Sequence, residues 1–364
     1  MLLKSALLPA IMCLLLFWPG PIHAEDVLIQ DIVGRQVTAP KDPERILCLA
    51  PGALRLIVYL QAQDKLVGVE AMEKQNPRGR PYWFASPGLK QLPICGPGGP
   101  ASIDQKPNME LVLDLDPQAI FVTYMNRSLA DRVQKILDIP VIVLSYGPFA
   151  NFDQTVFKSL RLAGRVLNRE QRALDVEQFI RDTQKDLQQK AKQTAQVDLP
   201  KVYAGGIGKR GAHGLESTQQ NYPPLQWIQA HNLAREINAG DQKHLFISME
   251  TLLGLDPEFI FIDGGGLQLV EQDFKKKPEI YTSLQAFQKG RVYTLHPVNW
   301  YLTNIGTALA NAYAVGKIIY PKAFAQVDVS NKADQIYEFL LGAKVNQEME
   351  RDYGKLGGKP RFIP

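Results

Sequence analysis

The sequence predicts an α/β fold of two Rossmann-like lobes with parallel sheets, joined by a single long rigid helix and facing each other across a cleft. Three observations lead to this prediction. Short apolar strands alternate with helical patterns, one segment of the chain occurs twice, and a long polar helical stretch lies between its two copies.

The repeated segment spans residues 108–122 and 248–262. Each copy has Met-Glu at its second and third positions, continues to Leu-Asp-Pro and ends in an apolar run that contains Ile-Phe. Because proline forces the preceding residue out of the α region, each copy should start as a short helix that stops there. The apolar run is typical of a buried parallel strand. Two copies therefore predict two similarly built lobes.

The polar helical stretch runs from Arg169 to about Thr194 without Pro or Gly. Asn168 and Gln171 have the spacing of a capping box at its start. At 1.5 Å per residue the helix would span roughly 39 Å, enough to cross between lobes. A long surface helix on a single domain is the alternative. Apolar residues recur along it at helical spacing: Ala173, Val176, Ile180 and Leu187.

These features divide the 364 residues into four parts. We expect a signal peptide over 1–24, an N-terminal lobe over 25–150, a helical connection over 151–198 and a C-terminal lobe, with a C-terminal helix, over 199–364.

Strands and helices alternate within each predicted lobe. The first lobe and the connection should contain a hairpin at 31–37, strands at 45–49, 66–69, 120–123 and 141–144, and helices at 54–61, 129–137 and 152–166. The second lobe should contain strands at 201–204, 259–262 and 291–295 and helices at 223–232, 304–319 and 332–341. Residues 74–104 are rich in Pro and Gly but carry Tyr82, Trp83 and Phe84, which favours a functional loop.

The composition is that of an ordinary globular protein, with 45% hydrophobic and 21% charged residues and a net charge of +4. No basic stripe stands out, which argues against nucleic acid as a partner. Lys4 and the following apolar run are typical of a secretory signal peptide, and prolines make that run too short for a membrane anchor. A lipoprotein would use Cys13, but bulky Met12 precedes it. We therefore expect an exported protein.

Cys48 and Cys95 remain after such processing. An oxidising compartment permits a disulfide between them, whereas a lone cysteine in an apolar strand is often just a small buried residue. The sequence leaves both possibilities open. A metal site formed by the pair is disfavoured, because no Cys-x-x-Cys spacing occurs.

Ligands of open parallel sheets gather beyond the carboxyl ends of the strands. The residues that follow the predicted strands are rich in aromatics, Gly and His, which suits a bulky small molecule. Gly206–Gly211 matches Gly-x-Gly-x-x-Gly, but no convincing helix follows it, so nucleotide binding is disfavoured and we expect backbone bent closely around a ligand. His213 and His296 lack metal-ligand spacing, and no catalytic set assembles. Whether a metal touches protein side chains stays open.

Several segments resemble a known family: 34–37, 45–47, 51–53, 66–69 and the two Met-Glu-x-x-Leu-x-Leu-x-Pro stretches. They are similar to the class III periplasmic substrate-binding proteins of iron-siderophore, haem and vitamin B12 ABC importers, and the likeness covers nearly all of the chain after the leader. The resemblance implies a monomeric periplasmic protein that is not an enzyme and has no cofactor of its own.

The resemblance also implies site residues. Members of this family dock on their permease through one surface glutamate per lobe, and Glu110 and Glu250 occupy those positions, where their charges would orient the encounter. Alternatively, each glutamate simply favours its own helix N-terminus. By position, the pocket candidates are Arg55, which would pair with an acidic group, and Trp83, Tyr124, Tyr146, His213, Tyr222, His296 and Trp300.

The expected function is capture of a metal chelate, foremost an iron(III) siderophore, and its delivery to the permease and ATPase of an ABC transporter. Corrinoid, haem and nickel chelates are alternative ligands. The competing classes are an exported enzyme that uses the same cleft and a sensory or adhesive module without a permease.

Overall fold

The computed structural model describes residues 26–75, 77–148, 152–194, 199–238, 240 and 243–363. The predicted signal peptide lies outside these ranges. Among the helices in these ranges, none combines the length and apolarity that crossing a bilayer requires.

The N-terminal lobe is built on a parallel three-stranded sheet with the order β3-β6-β7. A hairpin of β1 and β2 precedes it, and β4 and β5 form a second, two-stranded sheet. The strands are β1 Asp26–Gln30, β2 Gln36–Pro40, β3 Ile46–Leu49, β4 Val69–Glu70, β5 Ile94–Gly96, β6 Ala119–Thr123 and β7 Val141–Leu144. The helices are α1 Ala53–Tyr59, α2 Ala71–Gln75, α3 Pro81–Ala85, α4 Met109–Asp114 and α5 Arg127–Leu137.

Two helices, α6 Thr155–Val166 and α7 Glu170–Lys192, connect the lobes. The C-terminal lobe has a six-stranded sheet with the order β11-β9-β8-β12-β13, in which β10 also pairs with β8. Its strands are β8 Lys201–Gly205, β9 Ser217–Gln219, β10 His231–Asn232, β11 His244–Phe246, β12 Phe259–Asp263 and β13 Val292–Leu295. Its helices are α8 Pro223–Trp227, α9 Met249–Leu255, α10 Leu267–Lys276, α11 Pro278–Thr282, α12 Gln285–Gln288, α13 Ile305–Ile319, α14 Val329–Leu341 and α15 Asn346–Tyr353.

The repeated segment has the same place in both lobes. Each copy forms a short helix, α4 or α9, followed by the strand that lies in the middle of a parallel trio: β6 between β3 and β7, and β12 between β8 and β13. The α/β fold with two lobes is therefore confirmed. The C-terminal sheet is not purely parallel, because β9 pairs antiparallel with both β8 and β11.

Helix α7 has 23 residues, or about 34 Å of length. Its predicted apolar stripe is buried. The predicted capping box is wrong: Arg169 is the N-cap and makes no side-chain cap bond, Asn168 adopts a left-handed φ of 53°, and Gln171 donates to Asp175 instead.

The lobes are joined by more than α7. Helix α14 of the C-terminal lobe packs against α1 of the N-terminal lobe, and one hydrophobic cluster contains residues of both. Arg172 on α7 donates from Nε to the Tyr59 carbonyl at 2.9 Å and from Nη2 to the Phe339 carbonyl, which ties α7 to both helices. This shared core resists large changes in lobe orientation.

Some element predictions fail for local reasons. The strand predicted at 66–69 shrinks to Val69–Glu70, with only an isolated bridge from Leu66 to Ile46. Residues 74–104 are not an open loop, because they contain α3 and β5 and bury Tyr82 and Trp83. The helix predicted at 223–232 ends at Trp227, since Gln229 turns to a φ of 53°. Helix α15 was not predicted.

The two cysteines are not bonded. Both Cys48 and Cys95 are buried free thiols, and burial raises the pKa of Cys95 to about 12. Each therefore behaves as a small neutral core residue rather than as a reactive thiolate.

Candidate ligand-binding cleft

A cavity of about 250 Å³ opens between the two lobes. The N-terminal lobe contributes an apolar wall together with one arginine: Pro51, Met72, Arg80, Pro100 and Ile103. The C-terminal lobe contributes two loops, residues 208–211 and 299–302, of which the first follows β8 and the second follows β13. The cavity thus lies at the carboxyl ends of strands, where the fold class predicts a ligand.

Asp263, the last residue of β12, holds the loop that carries Trp300. Its carboxylate is buried and accepts hydrogen bonds from the Tyr222 hydroxyl at 2.8 Å, the Val298 amide at 3.1 Å and the Gly265 amide at 2.9 Å. Burial is the largest influence on this carboxyl and raises its pKa to about 6, against the opposing effect of these donors. Asp263 therefore ties three segments of the C-terminal lobe together beneath the cleft.

Tyr301 crosses from the C-terminal lobe into the N-terminal lobe. Its hydroxyl donates to Glu70 at 2.7 Å and accepts from the Gly99 amide at 2.9 Å, and the Arg80 guanidinium lies 4.2 Å from the centre of its ring. Tyr301 and Leu302 both adopt left-handed φ values, 54° and 73°. Such a conformation is unfavourable for side chains of this size and persists only where surrounding contacts hold it.

Arg55 forms a second contact between the two lobes, next to Tyr301. It is buried and donates to the carbonyls of Trp300, Tyr301 and Thr303, each at 3.0 Å, and it lies over the Tyr82 ring. Arg55 was predicted to pair with an acidic group of the ligand. The structure instead places its guanidinium on backbone oxygens of the opposite lobe, where it fixes the shape of the 300–303 loop.

The glycine-rich loop after β8 brings positive charge to the cavity. Gly208 is required by close approach, because a Cβ there would lie 2.8 Å from the Asn299 carbonyl oxygen. The loop is closed by the Lys209 amide, which donates to the Gly211 carbonyl at 3.1 Å. A strand, β9, follows the loop instead of a helix, so the geometry is not that of a dinucleotide fingerprint. The backbone bends here as predicted, and the ligand expected inside the bend stays a prediction.

The cavity wall has an excess of positive charge. Arg80 is balanced by Glu73 at 2.8 Å. Lys209 and Arg210 form no ion pair with any described residue, and no acidic side chain lines the cavity. Glu70 lies behind Tyr301, and burial, its largest influence, raises its pKa to about 7. An anion would therefore be favoured in this cavity.

Of the eight predicted pocket residues, Trp300 lines the cavity. Tyr124 and His213 are half-buried; the Tyr124 hydroxyl donates to the Gly147 carbonyl, and His213 bonds the Lys209 carbonyl at 2.9 Å. His213 therefore supports the loop that bears Lys209.

The other candidates lie in the core. Trp83 packs within the main hydrophobic cluster, the Tyr146 hydroxyl donates to the Gly52 carbonyl, and Tyr222 donates to Asp263. His296 is buried and bonds the Gly354 carbonyl at 3.2 Å, and burial lowers its pKa to about 4. These side chains hold the strand ends in place rather than forming the cavity wall.

Lys209, Arg210, Arg80 and Tyr301 were missing from the predicted pocket. The first two stand inside the glycine-rich loop that the sequence already singled out, and their charge was the available signal. Nothing in the sequence indicated Arg80, because its position depends on the fold of residues 74–104. Among the described residues, no cluster of three or more His, Cys, Asp or Glu could hold a metal ion.

Glu110 and Glu250 have matching positions. Each is exposed and is the second residue of its helix, and the helices begin at equivalent side-chain caps, Asn108 and Ser248. Neither glutamate forms an ion pair with a described residue, so both charges face solvent.

Comparison with known proteins gives one consistent family. The family model described as periplasmic binding protein matches residues 46–298. The chain is 23% identical to the uncharacterized ABC transporter substrate-binding lipoprotein YvrC of Bacillus subtilis, over 82% of this chain and 87% of that protein. It is also 23% identical to the molybdate-binding protein MolA of Haemophilus influenzae, over 93% of this chain and 96% of that protein.

Solved structures agree on the fold. A periplasmic solute-binding protein from Veillonella parvula superposes with a TM-score of 0.72 at 18% identity, covering 90% of this chain and 97% of that one. MolA bound to molybdate superposes with a TM-score of 0.69 at 19% identity, covering 88% and 99%. The chain therefore belongs to the periplasmic binding protein family, and its fold is that of the class III substrate-binding proteins of ABC transporters.

Proposed function

We propose that this protein captures an anionic metal chelate, foremost an iron(III) siderophore, in the interlobe cleft and delivers it to an ABC permease and its ATPase. The observation that carries the proposal is the charge of the cavity wall: Lys209 and Arg210 face an interlobe cavity, and none of the described residues that line it is acidic. Trp300 supplies an aromatic surface next to them. This combination complements the organic surface and the negative charge of such a chelate.

The lining favours an organic ligand over a bare inorganic anion. Most of the wall is apolar, formed by Pro51, Met72, Pro100, Ile103 and Leu302. A small oxyanion gains its affinity from many convergent hydrogen-bond donors, whereas the aromatic and aliphatic rings of a chelate gain from burial against such a wall.

A compact metal oxyanion is the second candidate. The cavity is small, at about 250 Å³, which is below the range of about 300–1,000 Å³ that is usual for drug-sized ligands. MolA, which is named as molybdate-binding, aligns over most of both chains. Both candidates share the requirement for negative charge at Lys209 and Arg210.

The duplicated helices carry the two residues that we propose for docking. Glu110 and Glu250 present one exposed carboxylate per lobe, as the resemblance implies for contact with permease arginines. We propose that these two side chains orient the protein on the permease and take no part in ligand affinity. The lobes would then change their relative orientation little, because α14 and Arg172 hold them to a shared core.

Calorimetric titration of the mature protein tests the proposal, with an iron(III) tris-catecholate and molybdate as separate probes. We expect the iron chelate to bind and to be recovered unchanged, and Lys209→Ala with Arg210→Ala to weaken it by about tenfold or more. The matched control is Arg132→Ala with Lys135→Ala, which removes two exposed charges from α5.

The outcomes separate the candidates. Binding of molybdate alone would replace the first candidate with the second. Binding of neither probe, or equal losses in the cleft variant and the α5 control, would overturn the proposed site. Conversion of the chelate to a product would favour the enzyme class.

A further inference from the structure

Trp300 divides the interlobe cleft into two compartments. Its indole lies between two glycines from opposite lobes: a Cβ on Gly79 would lie 2.9 Å from Cδ1, and a Cβ on Gly265 would lie 3.6 Å from Cε3. Gly79 also has a φ of +71°, and its carbonyl accepts from Asn304 at 3.0 Å. A side chain at Gly79 would displace the indole, so this glycine is what allows the partition.

The two compartments share Trp300 and the glycine-rich loop. Gly211 lines the smaller cavity described above, and its neighbour Ala212 lines a second cavity of about 470 Å³. Arg80 and Arg78 stand on either side of Gly79 in the chain and line the first and second cavities respectively. One ligand could therefore extend past Trp300 into both spaces.

The second compartment has its own cationic groups, Arg78, Lys359 and Arg361. Lys359 already has partners within the protein, since its Nζ donates to the Gly290 carbonyl and lies 3.7 Å from the centre of the Tyr293 ring. Arg78 and Arg361 are exposed and form no hydrogen bond or ion pair with any described residue.

The acids of this compartment are Glu271 and Asp352. Glu271 is paired with Lys275 at 2.6 Å, so the described lining of this compartment contains one unpaired acid, Asp352, and two unpaired arginines. The local charge therefore stays positive. The buried indole N–H of Trp300 has no acceptor among the described residues, so a ligand oxygen beside the partition would supply one.

We propose that the compartment beyond Trp300 is a second anion site, in which Arg78 and Arg361 bind a carboxylate arm of the same chelate. The inference rests on the proposed function and narrows its ligand to chelates that carry an acidic arm apart from the metal centre. Lys209 and Arg210 would hold the metal-bearing part, and the indole would lie between the two parts. Arginine suits this role because its fork binds a carboxylate through two hydrogen bonds.

A matched pair of ligands tests this site: an iron(III) tris-catecholate with one pendant carboxylate, and the same compound with a primary amide in its place. We expect the mature protein to bind the acid about tenfold more tightly than the amide. Arg78→Ala with Arg361→Ala should remove this preference by weakening the acid about tenfold, and should change the affinity for the amide much less. Both side chains are exposed, so the variant should keep the wild-type unfolding temperature.

The control is Arg351→Ala with Lys355→Ala, which removes two exposed charges that line neither compartment. It should keep the preference. Lys209→Ala with Arg210→Ala should weaken both ligands and also keep the preference. Equal affinities of the wild type for acid and amide, or loss of the preference in the control, would overturn the second site while leaving the proposed function intact. Binding of neither ligand would overturn the proposed function and this inference with it.

Discussion

The two copies of the repeated segment agree in their scaffold and diverge where their strands end. Both helices are capped by a side chain, at Asn108 and Ser248, and an aspartate with a left-handed φ follows both, 44° at Asp116 one residue after the C-cap of α4 and 37° at Asp256, the C-cap of α9. At the equivalent last strand position, the N-terminal lobe has Thr123 and the C-terminal lobe has Asp263.

Those last residues have different tasks. Thr123 is buried and makes one hydrogen bond, from its hydroxyl to the Pro51 carbonyl at 2.7 Å. Asp263 accepts three and so fixes the loop that carries Trp300. The two copies thus share one architecture, whereas the residue that ends the strand determines which loops each lobe holds at the cleft.

The largest effect should follow from replacing the exposed glutamate that both copies carry. Glu110→Arg with Glu250→Arg should abolish uptake of the chelate by cells while leaving its affinity for the purified protein unchanged, because rim charges orient an encounter. Each single variant should lose part of the uptake. Transport of labelled iron and titration of the protein measure the two quantities, and a loss of affinity would show that these glutamates are not docking residues.

The next effect concerns the position at which the copies differ. Asp263→Ala leaves three buried donors without an acceptor and should lower the free energy of unfolding by roughly 4 kcal/mol. Thr123→Val keeps the shape and loses one bond, so about 1 kcal/mol is expected. Urea denaturation of both variants checks the comparison. Equal losses would mean that Asp263 does not organise its lobe as described.

The free energy of unfolding should depend on pH through one buried carboxyl in each lobe. The pKa values of Glu70 and Asp263 are raised from 4.5 to about 7 and from 3.8 to about 6. Between these pKa values the folded state holds protons that the unfolded state has released. Each carboxyl therefore contributes its full stabilisation at a pH below its pKa in the unfolded chain, and this stabilisation is lost as the pH rises through its pKa in the folded protein. Stability should therefore fall from about pH 4 to pH 7, by on the order of 3 kcal/mol per group.

Single replacements should separate the two contributions to this decrease in stability. Glu70→Gln should reduce the decrease in the free energy of unfolding over the whole range up to pH 7, and Asp263→Asn should reduce it only up to about pH 6. Unfolding free energies measured at half-unit intervals of pH would show the two effects. A wild-type profile without any decline between pH 4 and 7 would contradict the assigned burial of both carboxyls.

The smallest effects should be equal. Asn108→Ala and Ser248→Ala each remove the side-chain cap of a repeated helix, with acceptor distances of 3.2 and 3.1 Å. Each should cost about 1 kcal/mol, and the two costs should add because the sites are in different lobes. Thermal unfolding of the single and double variants measures this. A loss of stability in only one of the two single variants would show that the two helices are not stabilised in the same way.

The sequence predicted the fold well because its signals are local and repeated. The proline stops, the continuous apolar strands and the spacing of Ala173, Val176, Ile180 and Leu187 each report on neighbouring residues alone. The misses depend on distant contacts. Residues 74–104 fold into short elements because Tyr82 and Trp83 are buried, and the start of α7 has no side-chain cap although Asn168 and Gln171 have the right spacing.

The cleft was predicted less well for a physical reason. Strand-end position indicates that a side chain is near the cleft but not which way it points. Tyr222 and His296 follow strands of the C-terminal lobe, yet both face inward to satisfy Asp263 and the Gly354 carbonyl. Lys209 and Arg210 line the cavity because Gly208 lets their loop pass close to Asn299. Such approaches between separate loops leave no periodic pattern in a single sequence.

The position of bound iron in a crystal tests most directly whether the interlobe cleft holds the chelate. Crystals of the purified protein with an iron(III) tris-catecholate, measured at the iron absorption edge, would locate the metal from its anomalous scattering alone. We predict a single strong anomalous peak between the lobes, beside Trp300 and within reach of the loop at 208–211. A peak only outside the cleft, or chelate-soaked crystals that contain no iron, would show that the cleft is not the chelate site.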